Sequence, residues 1–250
     1  MKKRLLIILV ILIVGAISYI MVDKVINTNV ITGDSNNTID YSKMIVTSYS
    51  HIDEASILLK DTSSFSFAYD LSDNEVIANK ADFIIIGTIT DIEGGINYNP
   101  VAKCYTVIET IGQMKVDMVL KGDIKDKEIG FIKSGGMITL AEYEKSLRKE
   151  ELEEFNENKY TQEEKDNKYV SEYLVGDIPV EKDKTYLMYL RYSKDFNRYG
   201  IVFFEYGFRE IDTNTLKSDF KSIMIKDNKT GEFEALDNVV AESVVKNIKE

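Results

Sequence analysis

His51 is the only histidine in the chain and Cys104 the only cysteine, so any mechanism that needs an imidazole base or a thiolate depends on one position of each type. His51 lies in Ser48-Tyr49-Ser50-His51, ahead of the regularly patterned sequence, and reads as a loop histidine. Cys104 stands between Lys103 and Tyr105 at the start of a predicted strand. Nothing in the sequence sets a base beside it, and it reads as a small core hydrophobe. A zinc site would have to be built mostly from carboxylates, which is not the usual zinc ligand set. No catalytic, cofactor-binding or metal-binding residue is assigned on these patterns.

Carboxylates are plentiful, and Asp91 with Glu93 and Glu205 with Glu210 are the pairs that could serve hydrolysis. Glycoside cleavage needs two carboxyl groups facing each other across a cleft at about 5 to 9 Å, a relation that spacing along the chain does not supply. The aromatic series Tyr186, Tyr189, Tyr192, Phe196, Tyr199, Phe203, Phe204, Tyr206 and Phe208 could line a sugar or peptide groove. A hairpin turning its aromatic face into the core accounts for it more simply. Asp227-Asn228-Lys229-Thr230-Gly231-Glu232 has part of the look of a calcium loop, but Lys229 and Gly231 occupy positions that need oxygen ligands, so a hairpin turn is expected. Gly94-Gly95 and Gly135-Gly136 lack the strand-to-helix setting of nucleotide sites and read as turns.

The elements that would position these groups are mostly strands. Ser72-Asp73-Asn74-Glu75 fits a capping box with Ser72 as cap, opening a short helix to about Lys80. Phe83 to Thr90 is a β-branched run without polar alternation, which suits a central strand buried on both faces. Gly94-Gly95 is expected to break it, with Asn97, Asn99 and Pro100 in an exposed loop. Tyr105 to Ile111 and Met114 to Leu120 are read as separate strands around Gly112-Gln113, and Lys121-Gly122-Asp123 as the turn into Ile129 to Lys133. From about 140 to 175 the chain is dense in Glu and Lys, with Tyr143, Leu147, Leu152 and Phe155 at near-helical spacing, which predicts a helical insertion that Asp177-Ile178-Pro179 ends. Strands return at Thr185 to Arg191, Gly200 to Gly207, Phe220 to Ile225 and Glu232 to Glu234, and Asp237 is expected to cap a closing helix through Val240, Val244 and Ile248. The fold class is therefore mainly β with helices (α+β): a small antiparallel barrel, which removes exposed edges, with a helical insertion.

Upstream lies a different kind of sequence. Leu5 to Val22 contains no charge and directly follows Lys2-Lys3-Arg4. About 20 apolar residues cross a bilayer core, so residues 5–22 fit one N-terminal transmembrane helix with its basic flank cytoplasmic and the remainder outside. Ala16 and Ser18 also fit a signal-peptidase site, in which case the body is secreted. A lipoprotein would need a cysteine after the apolar run, and Cys104 is too far away. Residues 1–26 are thus anchor or signal segment and 27–71 a tether and irregular extension, including a short amphipathic piece near Asp53 to Leu59 and a strand-like Phe65 to Tyr69. Residues 72–250 form the folded domain.

Without Lys2, Lys3 and Arg4 the body has 28 basic residues against 42 acidic, a charge of −14. Such a body is a poor ligand for nucleic acid and is repelled by anionic lipid heads and polyanionic wall polymers within a Debye length unless divalent cations bridge them. One cysteine cannot make an internal disulfide, so packing must stabilise the fold even if it is exported. The preference for Lys over Arg, with many Ile and Asn, suits an AT-rich bacterial genome of the low-GC Gram-positive kind.

The ordered series Ala81 to Ile89, Val119-Leu120-Lys121-Gly122-Asp123-Ile124, Ser134-Gly135-Gly136 and Asp183 to Leu190 resembles a group of uncharacterised exported proteins of clostridia and related Gram-positive bacteria. The likeness covers about Ser72 to Gly207 and implies a small β-barrel of OB or tissue-inhibitor-like type, with the helical piece between barrel strands. Its motifs are turns and core strands, and it transfers no catalytic residues. The chain lacks the N-terminal cysteine and the disulfides of true tissue inhibitors. The function expected is binding or assembly at the cell surface, with an exported hydrolase of wall glycan or peptide acting through Asp91, Glu93, Glu205 or Glu210 as the alternative, and an acidic immunity or inhibitor protein as a third.

Overall fold

The computed structural model describes residues 43–49, 52–63, 69–216 and 222–248. The candidate membrane segment Leu5 to Val22, His51 and most of Phe65 to Tyr69 lie outside these residues. No helix among the described residues is long and apolar enough to cross a membrane.

In chain order the elements are β1 (Ile57–Ser63), α1 (Asn74–Lys80), β2 (Phe83–Asn99), β3 (Cys104–Lys121), β4 (Glu128–Ser134), β5 (Gly136–Thr139), α2 (Leu140–Glu144), α3 (Lys149–Glu157), α4 (Gln162–Asn167), β6 (Tyr169–Leu174), β7 (Thr185–Ser193), β8 (Arg198–Ile201), α5 (Phe204–Gly207), β9 (Phe208–Glu210), β10 (Met224–Lys226), β11 (Phe233–Ala235), α6 (Leu236–Val239) and α7 (Glu242–Ile248). The molecule is mainly β with helices, as its sequence predicts.

Hydrogen-bonded pairing runs β2-β3-β4-β8-β7 and returns from β7 to β2, so five strands close into a ring. β9 pairs with β7 beside it. The ring is not wholly antiparallel, because β4 and β8 run parallel. A long excursion separates them in sequence, and a hairpin's reversal of direction is not imposed on the pair. A second sheet, β1-β6-β5, includes the parallel pair β1 and β6, and β10 with β11 forms a small hairpin.

Alternation decides what each ring strand buries. On β2, Ile85 and Ile89 join Met114, Phe131, Tyr186, Met188 and Phe208 in one apolar cluster. Ile84 and Ile86 point the other way, into a cluster with Ile77 of α1, Leu187 and Tyr189 of β7, and Leu236, Val244 and Val245 at the C-terminal end. Both faces of β2 are therefore covered, as its unbroken β-branched run predicts.

Several boundaries differ from the sequence reading. Gly94-Gly95 does not break β2, which continues to Asn99. A Cβ at Gly95 would lie 1.9 Å from the Met137 carbonyl oxygen, and one at Gly94 would lie 2.1 Å from that of Thr47, so these glycines admit neighbouring backbone, including the Thr47 to Gly95 bridge. Asn97 and Pro100 are buried, and Asn97 donates to the Glu142 carbonyl oxygen at 3.1 Å. Gly112-Gln113 likewise lies within the single strand β3, where a Cβ at Gly112 would meet the Asp91 carbonyl oxygen at 2.2 Å and the Phe131 ring at 2.6 Å. Residues 202–207, expected as strand, turn through Phe203 in a left-handed conformation into α5.

The helices also shift. Asp73, not Ser72, caps α1, accepting from the amides of Glu75 and Val76, while Ser72 turns to Asp70. Glu75 reaches across to Ser243. The insertion is three short helices followed by β6, with Tyr143, Leu147, Leu152 and Phe155 packed around Ile108, Ile138, Leu140 and Val170. Asp237 lies in the first turn of α6, whose cap is Ala235. Residues 52–63, read as extension, supply a 3-10 turn at Glu54–Ser56 and β1.

Candidate functional site

The four carboxylates that the sequence offers for hydrolysis each meet a cation. Glu93 accepts both guanidinium nitrogens of Arg198, at 2.7 and 3.1 Å, and the Gln113 amide at 2.6 Å. Arg198 also donates to the Gly112 carbonyl oxygen, so this fork fastens β8 across β2 and β3. Asp91 is 3.5 Å from Lys182, Glu205 is 2.7 Å from Lys229, and Glu210 lies between Lys184 and Lys226. These contacts are enough to account for all four residues as elements of charge balance.

The other candidates resolve individually. Cys104 is exposed, contrary to the expectation of a core position, because it opens β3 at the end of the long hairpin. Asp227 accepts from the amides of Lys229 and Thr230 at 2.9 and 2.7 Å, and the Thr230 amide above all holds its carboxyl below the usual range. The carboxylate serves its own turn, as a hairpin requires. Among the described residues no group of three His, Cys, Asp or Glu could hold a metal ion. Tyr186, stacked on Phe208 at 4.1 Å, and Tyr189 are buried, whereas Tyr192 is exposed beside Tyr199.

The most unusual chemistry lies where sequence patterning gave no signal. Lys133 is the penultimate residue of β4 and Asp177 follows β6, and the Lys133 ammonium donates to Oδ2 of Asp177 with side-chain exposures of 3% and 0%. The Ile178 amide occupies Oδ1 at 3.0 Å, and the Phe208 ring lies 5.2 Å from Lys133 Nζ. Burial pushes the Lys133 pKa down against the opposing pull of Asp177. Burial pushes Asp177 up, against Lys133 and with help from the charge of Glu205. Both members are thus driven toward their neutral forms.

Around this pair runs a wider polar seam. Thr110 is the cross-strand partner of Lys133, and its hydroxyl donates to the Gly135 carbonyl oxygen at 2.7 Å. Tyr49 completes the chain, its hydroxyl 3.2 Å from that of Thr110 and accepting from the Met137 amide at 2.7 Å. Burial raises the pKa of Tyr49 and of Tyr173, the latter also under the charges of Tyr49 and Asp177. On the other side, Glu205 presses so closely on Gly176 that a Cβ there would lie 1.8 Å from its Oε2, and Lys229 also reaches the Tyr206 hydroxyl at 2.8 Å.

One further carboxyl stands out. Glu109 on β3 is partly buried opposite Ile96, beside the small apolar cluster of Ile96, Ile111 and Ile132. Burial alone pushes its pKa up to about 7. A carboxyl that titrates near neutrality is a candidate proton donor or acceptor, although buried structural groups show the same shift. No family model, curated protein or solved structure matches the chain.

Proposed function

We propose that this chain is a membrane-anchored extracytoplasmic protein that binds or assembles at a bacterial cell surface. The observation that carries the reading is the uncharged run Leu5 to Val22 behind Lys2-Lys3-Arg4, which places the acidic body outside with the N-terminus cytoplasmic, or releases it if the leader is cleaved. The partner is a protein or cell-surface component, and the charge of −14 argues against nucleic acid. The resemblance to exported proteins of Gram-positive bacteria supports the same compartment.

We also propose that the five-stranded ring is a small OB-type barrel. Its pairing order of first, second, third, fifth, fourth and back to first strand, with the third and fifth parallel and the helices inserted after the third, supports that assignment.

The alternative, an exported hydrolase, draws support from Glu109 rather than from its sequence candidates, which are engaged by Lys182, Arg198, Lys229, Lys184 and Lys226. Incubation of the purified chain with cell-wall glycan and peptide separates the two. Retention on the wall fraction without release of reducing ends or new amino groups is the expected result. Turnover that disappears in Glu109→Gln would establish the hydrolase instead.

A further inference from the structure

We infer that Lys133 and Asp177 form an intramolecular amide cross-link, Nζ to Cγ, because their side chains are in contact, sealed from solvent and walled by the Phe208 ring. The inference rests on this buried pair alone and is independent of the cell-surface reading.

A buried ion pair is a poor stabiliser, since desolvating both charges offsets most of their attraction and an apolar pair of similar volume often does as well. The arrangement does, however, meet the requirements of condensation. In water an ammonium and a carboxylate do not react, because the amine lone pair is protonated and the carboxylate is a poor electrophile. Here burial favours the neutral amine and the neutral acid, and Glu205, lying against Gly176 one residue before Asp177, adds to the tendency of Asp177 to hold a proton. Transfer of one proton from Nζ to Oδ2 along their hydrogen bond generates both reactive forms together.

The steps then balance within the chain. The Nζ lone pair attacks Cγ, the new C–N bond forms, and the Cγ–OH bond breaks. The departing hydroxyl takes a second proton from nitrogen and leaves as water, with one N–H remaining on the amide. No oxidant, reductant or activated donor is needed. Permanent contact supplies the proximity that intermolecular amines and acids lack, and exclusion of water opposes the reverse hydrolysis. The titratable groups facing the pair are Glu205 of α5, with Lys229 held on it, and Tyr173 of β6 with Tyr49 behind it. Their arrangement leaves Lys133 as the amine in contact with Asp177. The bond would tie residues 44 apart and join β4 of the ring to the connection between β6 and β7, a covalent closure in a chain with no internal disulfide.

Intact-mass measurement with tryptic peptide mapping of the full chain, purified folded and held at neutral pH, tests this. The expected result is a mass one water below that of the sequence, resistance to cleavage after Lys133, and a branched peptide joining the segment containing Lys133 to that containing Asp177. Lys133→Met and Asp177→Ala should both restore the full mass. A folded natural chain whose Lys133 peptide is recovered unlinked, or whose water loss maps elsewhere, overturns the inference, and this holds even if neither variant folds.

Discussion

Glu109 makes the clearest single-residue prediction. Its carboxyl ordinarily titrates at 4.5 and is raised to about 7 by burial, so between those values the folded state holds a proton that the unfolded state releases. Stability contributed by the protonated form is therefore complete at the acidic end of this window and lost as pH rises through it. The shift corresponds to at most about 3 kcal/mol, less to the extent that water reaches the carboxyl. Glu109→Gln should flatten the stability profile between pH 4.5 and 7 in urea unfolding, relative to the natural chain; identical profiles would show that Glu109 titrates normally. None of this was legible in the sequence, where Glu109 is one acidic residue among 42. Lys133 and Asp177 were equally hidden. One lies next to the end of a strand and the other in the connection before Pro179, and residue type there does not reveal that the two meet in the interior.

At the scale of elements, the first helix and the inner glycines give opposed pairs of substitutions. Asp73→Ala removes the acceptor for two amides at the start of α1 and should cost about 1 kcal/mol, whereas Ser72→Ala should cost a few tenths. Thermal or denaturant unfolding of the two variants decides which residue is the cap. Gly95→Ala drives a methyl group into the Met137 carbonyl and should destabilise by about 3 kcal/mol or more. Gly231→Ala meets no atom within 4 Å and carries only the left-handed backbone cost of about 1 kcal/mol. The same contrast explains which parts of the fold could be read from sequence. The β-branched run of β2 reports burial directly, whereas on β3 a register shift sends Met114 and Val116 to one apolar cluster and Met118 and Leu120 to the other. A glycine pair looks the same whether it ends a strand or lets another backbone press against one, so β2 and β3 proved longer than predicted. Phe203-Phe204 failed for a related reason: an aromatic run suits a strand, but here the chain turns through a left-handed residue to set Phe208 against Tyr186.

At the scale of the molecule, two kinds of closure organise the body. The ring buries one apolar cluster against itself and offers its outer surface to α1 and the C-terminal helices, while the Arg198 to Glu93 fork fastens β8 across β2 and β3. The α2 to α4 insertion and the second sheet share a separate cluster around Phe155 and Val170, which is why an acidic, helix-rich stretch still carries apolar residues at spaced positions. Legibility at this scale was partial. A ring of strands accords with the need to hide edges, but the strand count was not legible, since Tyr105 to Leu120 is one strand and β5, β6 and β9 gave no signal, and the parallel β4-β8 pairing depends on contacts between distant segments, which periodicity does not encode. The proposed role depends above all on which side of a bilayer this acidic body occupies. The most direct test is protease treatment of intact cells freed of their wall, with the C-terminus followed by antibody against an appended epitope. Loss of the epitope while a cytosolic marker survives is the predicted result, and an epitope that persists until the cells are lysed would contradict the proposal.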